Sequence, residues 1–157
     1  MKTEDTPDIF WQAFLSSIPK DSPPLDSPYQ AWAFGDSPSL ADDLAALVLS
    51  GEKTATASLH WVYQVENETL PMVGEYNIIL SGGEVPLCIT RTIQVEIQPF
   101  DQVDAKFAND EGEGDRTLAY WRKVHWEFFE RECVAINRQP RLDMPVVCER
   151  FQLIFSK

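Results

Sequence analysis

Gly51-Glu52-Lys53-Thr54-Ala55-Thr56-Ala57-Ser58 is the stretch on which the fold and the chemistry of this chain both turn. It follows a well-marked helix and opens an extended segment. Gly51 suits the left-handed residue that ends a helix, where a side chain is costly. Lys53 comes two residues later, at a change of chain direction. Thr54, Thr56 and Ser58 place three hydroxyls within five residues, spaced by alanines too small to block access. Two readings stand side by side. Lysine after a helix C-terminus favours the dipole, and alternating Thr and Ala suits a half-buried strand. A lysine beside hydroxyls is also one way to make a weak alcohol nucleophilic, by taking its proton.

Working backwards, Ser37 caps a helix that Pro38 begins, with Leu40, Leu44, Leu47 and Val48 as its buried stripe. Trp32, Phe34 and Gly35-Asp36 lead into it. Residues 7–18 read as an earlier helix, with Pro7 at its first position, Asp8 near the positive end of the dipole, and Phe10, Trp11, Phe14, Leu15 and Ile18 on one face. Pro19, Pro23, Pro24 and Pro28 follow among Ser and Asp. Residues 1–28 are thus expected to be an N-terminal helix and Pro-rich linker, and residues 29–157 the domain proper.

Working forwards, Leu59-His60-Trp61-Val62-Tyr63 precedes a polar stretch to Pro71. Gly74 to Leu80 reads as a strand, Ser81-Gly82-Gly83 as a turn, and Val85 to Ile97 as one long strand or two with a bend. Pro99-Phe100-Asp101 returns the chain to helix, carried by Val103, Phe107 and Ala108. Asp110 to Asp115 breaks it with a flexible acidic loop. Asp115 or Thr117 caps the next helix, which holds Leu118, Trp121, Val124, His125, Phe128 and Phe129. Val146 to Phe155 is a last strand. The sum is an α+β domain with a mainly antiparallel, barrel-like sheet.

Composition narrows the function. The 157 residues suffice for one domain with a real core, and the net charge of −12 opposes broad binding to nucleic-acid polymers, which depends on neutralising many phosphates. A small nucleoside or a short RNA remains admissible as partner. Neither an apolar run of bilayer length nor a signal-peptide start is evident, so no membrane is expected and a cytoplasmic location is. Cys88, Cys133 and Cys148 are three cysteines without metal or disulfide spacing, and there are only two histidines, His60 and His125; no metal or cofactor is called for. The oligomeric state is open, a dimer included.

Phe34-Gly35-Asp36, Gly51 to Thr56, Pro99-Phe100-Asp101, Glu111-Gly112-Glu113-Gly114-Asp115, Tyr120-Trp121-Arg122 and His125-Trp126 occur in the order found in the ASCH superfamily. Roughly residues 30–157 resemble it. The resemblance implies a PUA-like fold, a small β-barrel flanked by helices, with a ligand cleft near the start of the barrel. Small bacterial members hydrolyse N4-acetylcytidine with a lysine, a threonine three residues on, and a distant glutamate. Carried across, these are Lys53, Thr56 and Glu111. The motif position often held by Arg is Ser58 here, and the Gly-Glu-Gly-Asp loop is absent from the smallest members, which places this chain in another branch.

Under that resemblance the chain is expected to be a metal-independent amidohydrolase. Thr56 attacks the acyl carbonyl; Lys53 takes its proton if neutral or stabilises the oxyanion if charged. Residues three apart in a strict strand face opposite sides, so Lys53 and Thr56 converge only if the chain bends between them. Ser58, Trp61, Arg91, Glu113, Asp115, Arg116 and Trp121 are the candidate substrate-binding residues, with Glu113 an alternative to Glu111. Each also has a plainer reading: Asp115 as a helix cap, the tryptophans as core, the arginines as solvated. A ribonuclease and a non-catalytic RNA-binding module are the rival functions.

Overall fold

The computed structural model describes residues 5–22 and 27–157. The elements run α1 (Pro7–Ser16), β1 (Tyr29–Trp32), α2 (Pro38–Ser50), β2 (Ala55–Leu59), α3 (His60–Glu66), β3 (Tyr76–Leu80), β4 (Pro86–Pro99), a 3-10 turn (Phe100–Gln102), α4 (Ala105–Glu111), α5 (Leu118–Ala135) and β5 (Pro145–Ser156). The five strands form one sheet in the order β1-β3-β4-β5-β2. β1 pairs with β3 in parallel and the other neighbours are antiparallel. The fold is therefore α+β with a mixed sheet. The closed barrel implied by the resemblance is not formed: β1 and β2 are the two edges, and they do not pair.

The long β4–β5 ladder is the spine. Register shifts at Ile89/Thr90 and Thr92/Gln94 bend it, as inserted residues do. Around it lie three apolar clusters. Ala55, Phe100, Phe107, Trp121 and Phe129 join α4, α5 and the 3-10 turn to β2 and β5. Phe34, Leu44, Val48, Ile79 and Phe151 seat α2. Phe10, Trp11 and Phe14 seat α1 on Tyr76, Ile78 and Ile89. Cys88 and Cys148 are buried, and burial pushes both thiols up to about 12.

Local rules place the helix ends. The Thr6, Ser37, Asp104 and Thr117 side chains accept from backbone N–H groups of the first turns of α1, α2, α4 and α5. Gly51 ends α2 at φ +84°. Three expectations change. Residues 29–32 form a strand, and residues 60–66 a helix, where only apolar stretches were legible. Part of the Pro-rich linker, residues 23–26, lies outside the described residues. The acidic segment 110–115 is only in part a loop: Asp110 and Glu111 end α4, Glu111 and Gly112 are buried, and Gly114 and Asp115 are exposed. Among the described residues no helix is long and apolar enough to cross a membrane.

Candidate functional site

Two backbone segments, far apart in sequence, meet where α2 ends. The Lys53 N–H donates to Leu47 O and the Thr54 N–H donates to Asp110 O at 2.7 Å. Gly112 comes so close that a Cβ there would lie 2.4 Å from Glu52 O. Gly112 also has φ +72°, so a glycine is required on both counts. The contact turns Lys53 inward just before β2 begins. This supplies the bend between Lys53 and Thr56 that a straight strand lacks.

Lys53 is 2% exposed and Glu111 1%. Lys53 Nζ donates to the Glu111 carbonyl and to Glu111 Oε1, each at 3.4 Å, and lies 3.7 Å from Glu113 Oε1. Its ammonium also sits 5.4 Å above the Phe34 ring. On the other side of the Glu111 carboxylate, Oε2 lies 2.9 Å from His125 Nε2 and accepts from Trp121 Nε1–H. His125 Nδ1 faces the Trp121 carbonyl at 2.9 Å, and the two rings stack at 4.3 Å. A carbonyl only accepts, so Nδ1 carries a hydrogen. An ionised carboxylate only accepts, so Nε2 carries one too. The ring is then an imidazolium, and the charges of Lys53, His125, Glu111 and Glu113 balance.

The electrostatic surroundings of each group agree. Burial alone would raise the Glu111 carboxyl, but the charges of His125 and Lys53 and the hydrogen bonds from His125 and Trp121 outweigh it and hold it at about 2. Burial would lower His125, yet the Glu111 charge and hydrogen bond raise it above 6.5. Glu113 goes the other way. Burial raises its carboxyl, reinforced by Glu111 and only partly offset by Lys53 and His125. Its Oε2 is buried without a hydrogen-bond partner. Donor atoms of Glu111, Glu113 and His125 lie within 4.8 Å of one another. The carboxylates already share the Lys53 ammonium, and we read the group as an ion-pair network.

A cavity of about 320 Å³ is lined by Lys53, Glu111, Glu113 and His125, and by Thr56, Phe34, Leu44 and Tyr120. A second, of about 720 Å³, is lined by Ser58, Tyr63, Asn77, Glu149 and Trp32. Phe34, Gly35, Thr56, Ala57 and Phe128 line both, so the two adjoin.

The structure thus brings together Lys53, Thr56, Glu111 and Glu113, with Ser58 in the adjoining space, where its hydroxyl pairs with the Tyr63 hydroxyl at 2.9 Å. It does not bring the other candidates to either cavity. Trp121 is core, with its indole N–H spent on Glu111. Trp61 packs on the core beneath Arg138, whose guanidinium is 4.4 Å from the ring. Arg91 is exposed beside Tyr76. Asp115 is exposed and accepts from the Thr117 hydroxyl and N–H. Arg116 ties the two segments together by donating to Asn109 O and Glu52 O. His125 is the residue that sequence reasoning passed over as part of an apolar stripe. Its spacing of four from Trp121, which puts both on one helix face, was the available signal.

The model of the ASCH domain family matches residues 30–155. Two crystal structures are similar over nearly the whole chain. One is an ASCH domain from Lactobacillus crispatus JV V101, 34% identical, covering 93% of this chain and 92% of that one, with TM-score 0.88. The other is protein EF3133 from Enterococcus faecalis V583, 40% identical, covering 94% and 86%, with TM-score 0.83. Hypothetical protein PH0355, 14% identical over 81% of this chain and all of that one, shares the fold at TM-score 0.52. No curated protein matches the sequence.

Proposed function

The chain belongs to the ASCH domain family, a superfamily of RNA-binding and hydrolase-like domains, and from that premise we propose that it hydrolyses the acyl amide of a modified nucleoside of the N4-acetylcytidine type. One observation carries the reading: the buried Lys53, Glu111, Glu113 and His125 line a single cavity with the hydroxyl-bearing Thr56. Amide hydrolysis needs a nucleophile, proton carriers and a donor for the developing oxyanion, and this cavity offers all of them.

The roles follow from which groups are free. Thr56 Oγ attacks the acyl carbon. Glu111 accepts from Lys53, His125 and Trp121 and is held at about 2, which makes it a weak base; it is the anchor that orients the two cations. Glu113 has the oxygen without a partner, and it takes the Thr56 proton. An ammonium has three N–H donors; two go to Glu111, and the third, beside Glu113 Oε1 at 3.7 Å, turns to the oxyanion once Glu113 has taken the proton. As the C–N bond breaks, Glu113 passes the proton it took from Thr56 to the leaving amine, leaving an acyl ester on Thr56. Water then attacks that ester. Its proton passes to Glu113 and from there to Thr56, and the carboxylic acid departs with the site restored.

The net charge of −12 counts against the ribonuclease and RNA-module alternatives, because polymer binding depends on cationic surface. The test is turnover of N4-acetylcytidine by the unmodified chain and by Thr56→Val, which keeps the shape and removes the hydroxyl. The unmodified chain should release cytidine and acetate, and Thr56→Val should not. Near-normal turnover by Thr56→Val overturns the nucleophile. A failure of the unmodified chain on a panel of acylated nucleosides overturns the substrate class. Salt-insensitive turnover of the free nucleoside sets this reading apart from polymer binding.

A further inference from the structure

Thr56 and Glu149 stand directly opposite each other in the β2–β5 ladder, so their side chains leave the same face of the sheet as neighbours. Thr56 lines both cavities, whereas Glu149 lines the larger one alone. Building on the proposed hydrolysis, we infer that the larger cavity holds the part of the substrate that leaves as the amine, and that Glu149 reads its hydrogen-bond donors and turns phosphorylated forms away.

Glu149 is set up for recognition by a chain of committed bonds. Trp32 Nε1–H donates to Asn77 Oδ1 at 2.9 Å. Asn77 Nδ2–H donates to Thr92 Oγ1 at 3.3 Å. The Thr92 hydroxyl donates to Glu149 Oε1 at 2.6 Å. Each bond orients the next group, and the carboxylate is fixed at the end of the chain, in a residue 7% exposed. Glu149 Oε2 has no hydrogen-bond partner among the described residues, in a side chain facing a cavity of about 720 Å³. That oxygen is open to the cavity, so a ligand N–H or O–H entering there finds a fixed acceptor whose other oxygen is already held by Thr92.

Charge sets the class of ligand. Glu68, Glu75, Glu132 and Glu149 line the cavity, with no Lys or Arg among its lining residues. A phosphate dianion placed there meets only repulsion and gains no cation in return. A neutral nucleoside, whose sugar hydroxyls and amine are donors, fits. The aromatic walls Trp32, Tyr63 and Phe128 suit a flat ring. Burial raises the Glu149 carboxyl, with Thr92 pulling it down and Glu75 adding to the rise, as expected of an anion with no counter-ion beside it.

Two measurements test this, one of them without turnover. By calorimetry the unmodified chain should bind cytidine and not cytidine 5′-monophosphate, and Glu149→Gln, which still accepts from Thr92, should weaken cytidine about tenfold. In kinetics with N4-acetylcytidine, Glu149→Gln should raise KM about tenfold and leave kcat within about twofold. Equal binding of nucleoside and nucleotide by the unmodified chain overturns the inference. So does a fall in kcat at constant KM, which makes Glu149 part of the chemistry. Cytidine binding that depends on Glu149 in a chain that turns nothing over supports the subsite and leaves the hydrolysis to fail alone. Should Glu149→Gln not fold, Glu132→Gln carries the charge argument at pH 8.5, above the value of about 7 to which burial raises that carboxyl: it should narrow the preference for nucleoside over nucleotide, and an unchanged preference overturns it.

Discussion

His125 Nε2 lies 2.9 Å from Glu111 Oε2, a buried ion pair whose carboxylate is shared with Lys53 at 3.4 Å. Its two members impose opposite pH limits on stability. Glu111 falls from 4.5 to about 2 on folding, so its contribution is complete above pH 4.5 and is lost as the pH drops toward 2. The shift corresponds to about 3 kcal/mol. His125 is raised above 6.5, so its contribution is complete below that pH and is lost as the pH rises through the folded value. Urea melts across pH should show maximal stability between these limits. Glu111→Gln should flatten the acid side and lower stability at pH 7 by about 3–5 kcal/mol, the usual result of removing one partner of a buried pair. A variant as stable as the parent at pH 7 contradicts the ion pair.

Glu113 has the opposite sign. Its carboxyl is raised, so the folded state loses stability as the pH climbs from 4.5 through the folded value. Glu113→Gln mimics the protonated acid and should leave the chain slightly more stable at pH 7 than its parent. Turnover should nevertheless drop by about a hundredfold or more, the scale of a lost general base. A chain that gains stability while losing activity distinguishes Glu113 from Glu111, whose removal should harm both.

The same groups set a bell-shaped dependence of kcat/KM on pH. Activity requires Glu113 ionised to take the Thr56 proton, beside Lys53 and His125, and His125 protonated to hold Glu111. The acid limb should have an apparent value above 4.5 and the alkaline limb one above 6.5. Because the groups interact, these values belong to the cluster as a whole. Glu113→Gln should abolish the acid limb of its residual activity. A profile that keeps rising through pH 9 would rule out a charged His125 as a requirement of the working site.

Gly51 and Gly112 offer a controlled comparison. Both have positive φ, +84° and +72°. A Cβ at Gly51 meets nothing within 4 Å, whereas one at Gly112 meets Glu52 O at 2.4 Å. Gly51→Ala should therefore cost about 1–2 kcal/mol for the left-handed conformation alone. Gly112→Ala should cost clearly more and also depress turnover, since it pushes apart the two segments that aim Lys53 at Glu111. Thermal melts and kcat on both variants check this. Equal losses would mean that the close approach is not what positions Lys53.

Much of this was legible in local sequence. Ser37, Pro38 and Gly51 bound α2 because capping and left-handed termini obey nearest-neighbour rules. The alternation in 85–97 marked β4 as a strand but not its burial, since Cys88, Ile89 and Thr90 are buried in succession whereas Ile93 and Ile97 are exposed. The convergence of Lys53 with Glu111 was reached through a family resemblance, since nothing within either segment announces a contact between residues 58 apart. His125 was hidden for a related reason: a histidine in an apolar stripe looks like core until its partner is known. β1 escaped because Tyr29–Trp32 pairs in parallel with β3, a partner no local pattern reveals. The sheet stays open for a reason equally remote from sequence, as β1 and β2 end on opposite edges.

The N-terminal helix tests how far the fold extends beyond the family match at residues 30–155. Phe10 is fully buried, and its ring lies 5.3 Å from that of Phe155 on β5. Tyr29 donates its hydroxyl to Asp8, and Lys157 pairs with Asp5 at 2.9 Å. The exposed ion pair contributes little; the aromatic contacts dominate. Phe10→Ala should cost about 3–5 kcal/mol, a large part of the roughly 5–15 kcal/mol that holds a domain together. It should do so in a single transition shared by far-UV and tryptophan signals. If α1 were an independent appendage, the main transition would keep its midpoint, and only a small early change in the Trp11 environment would appear.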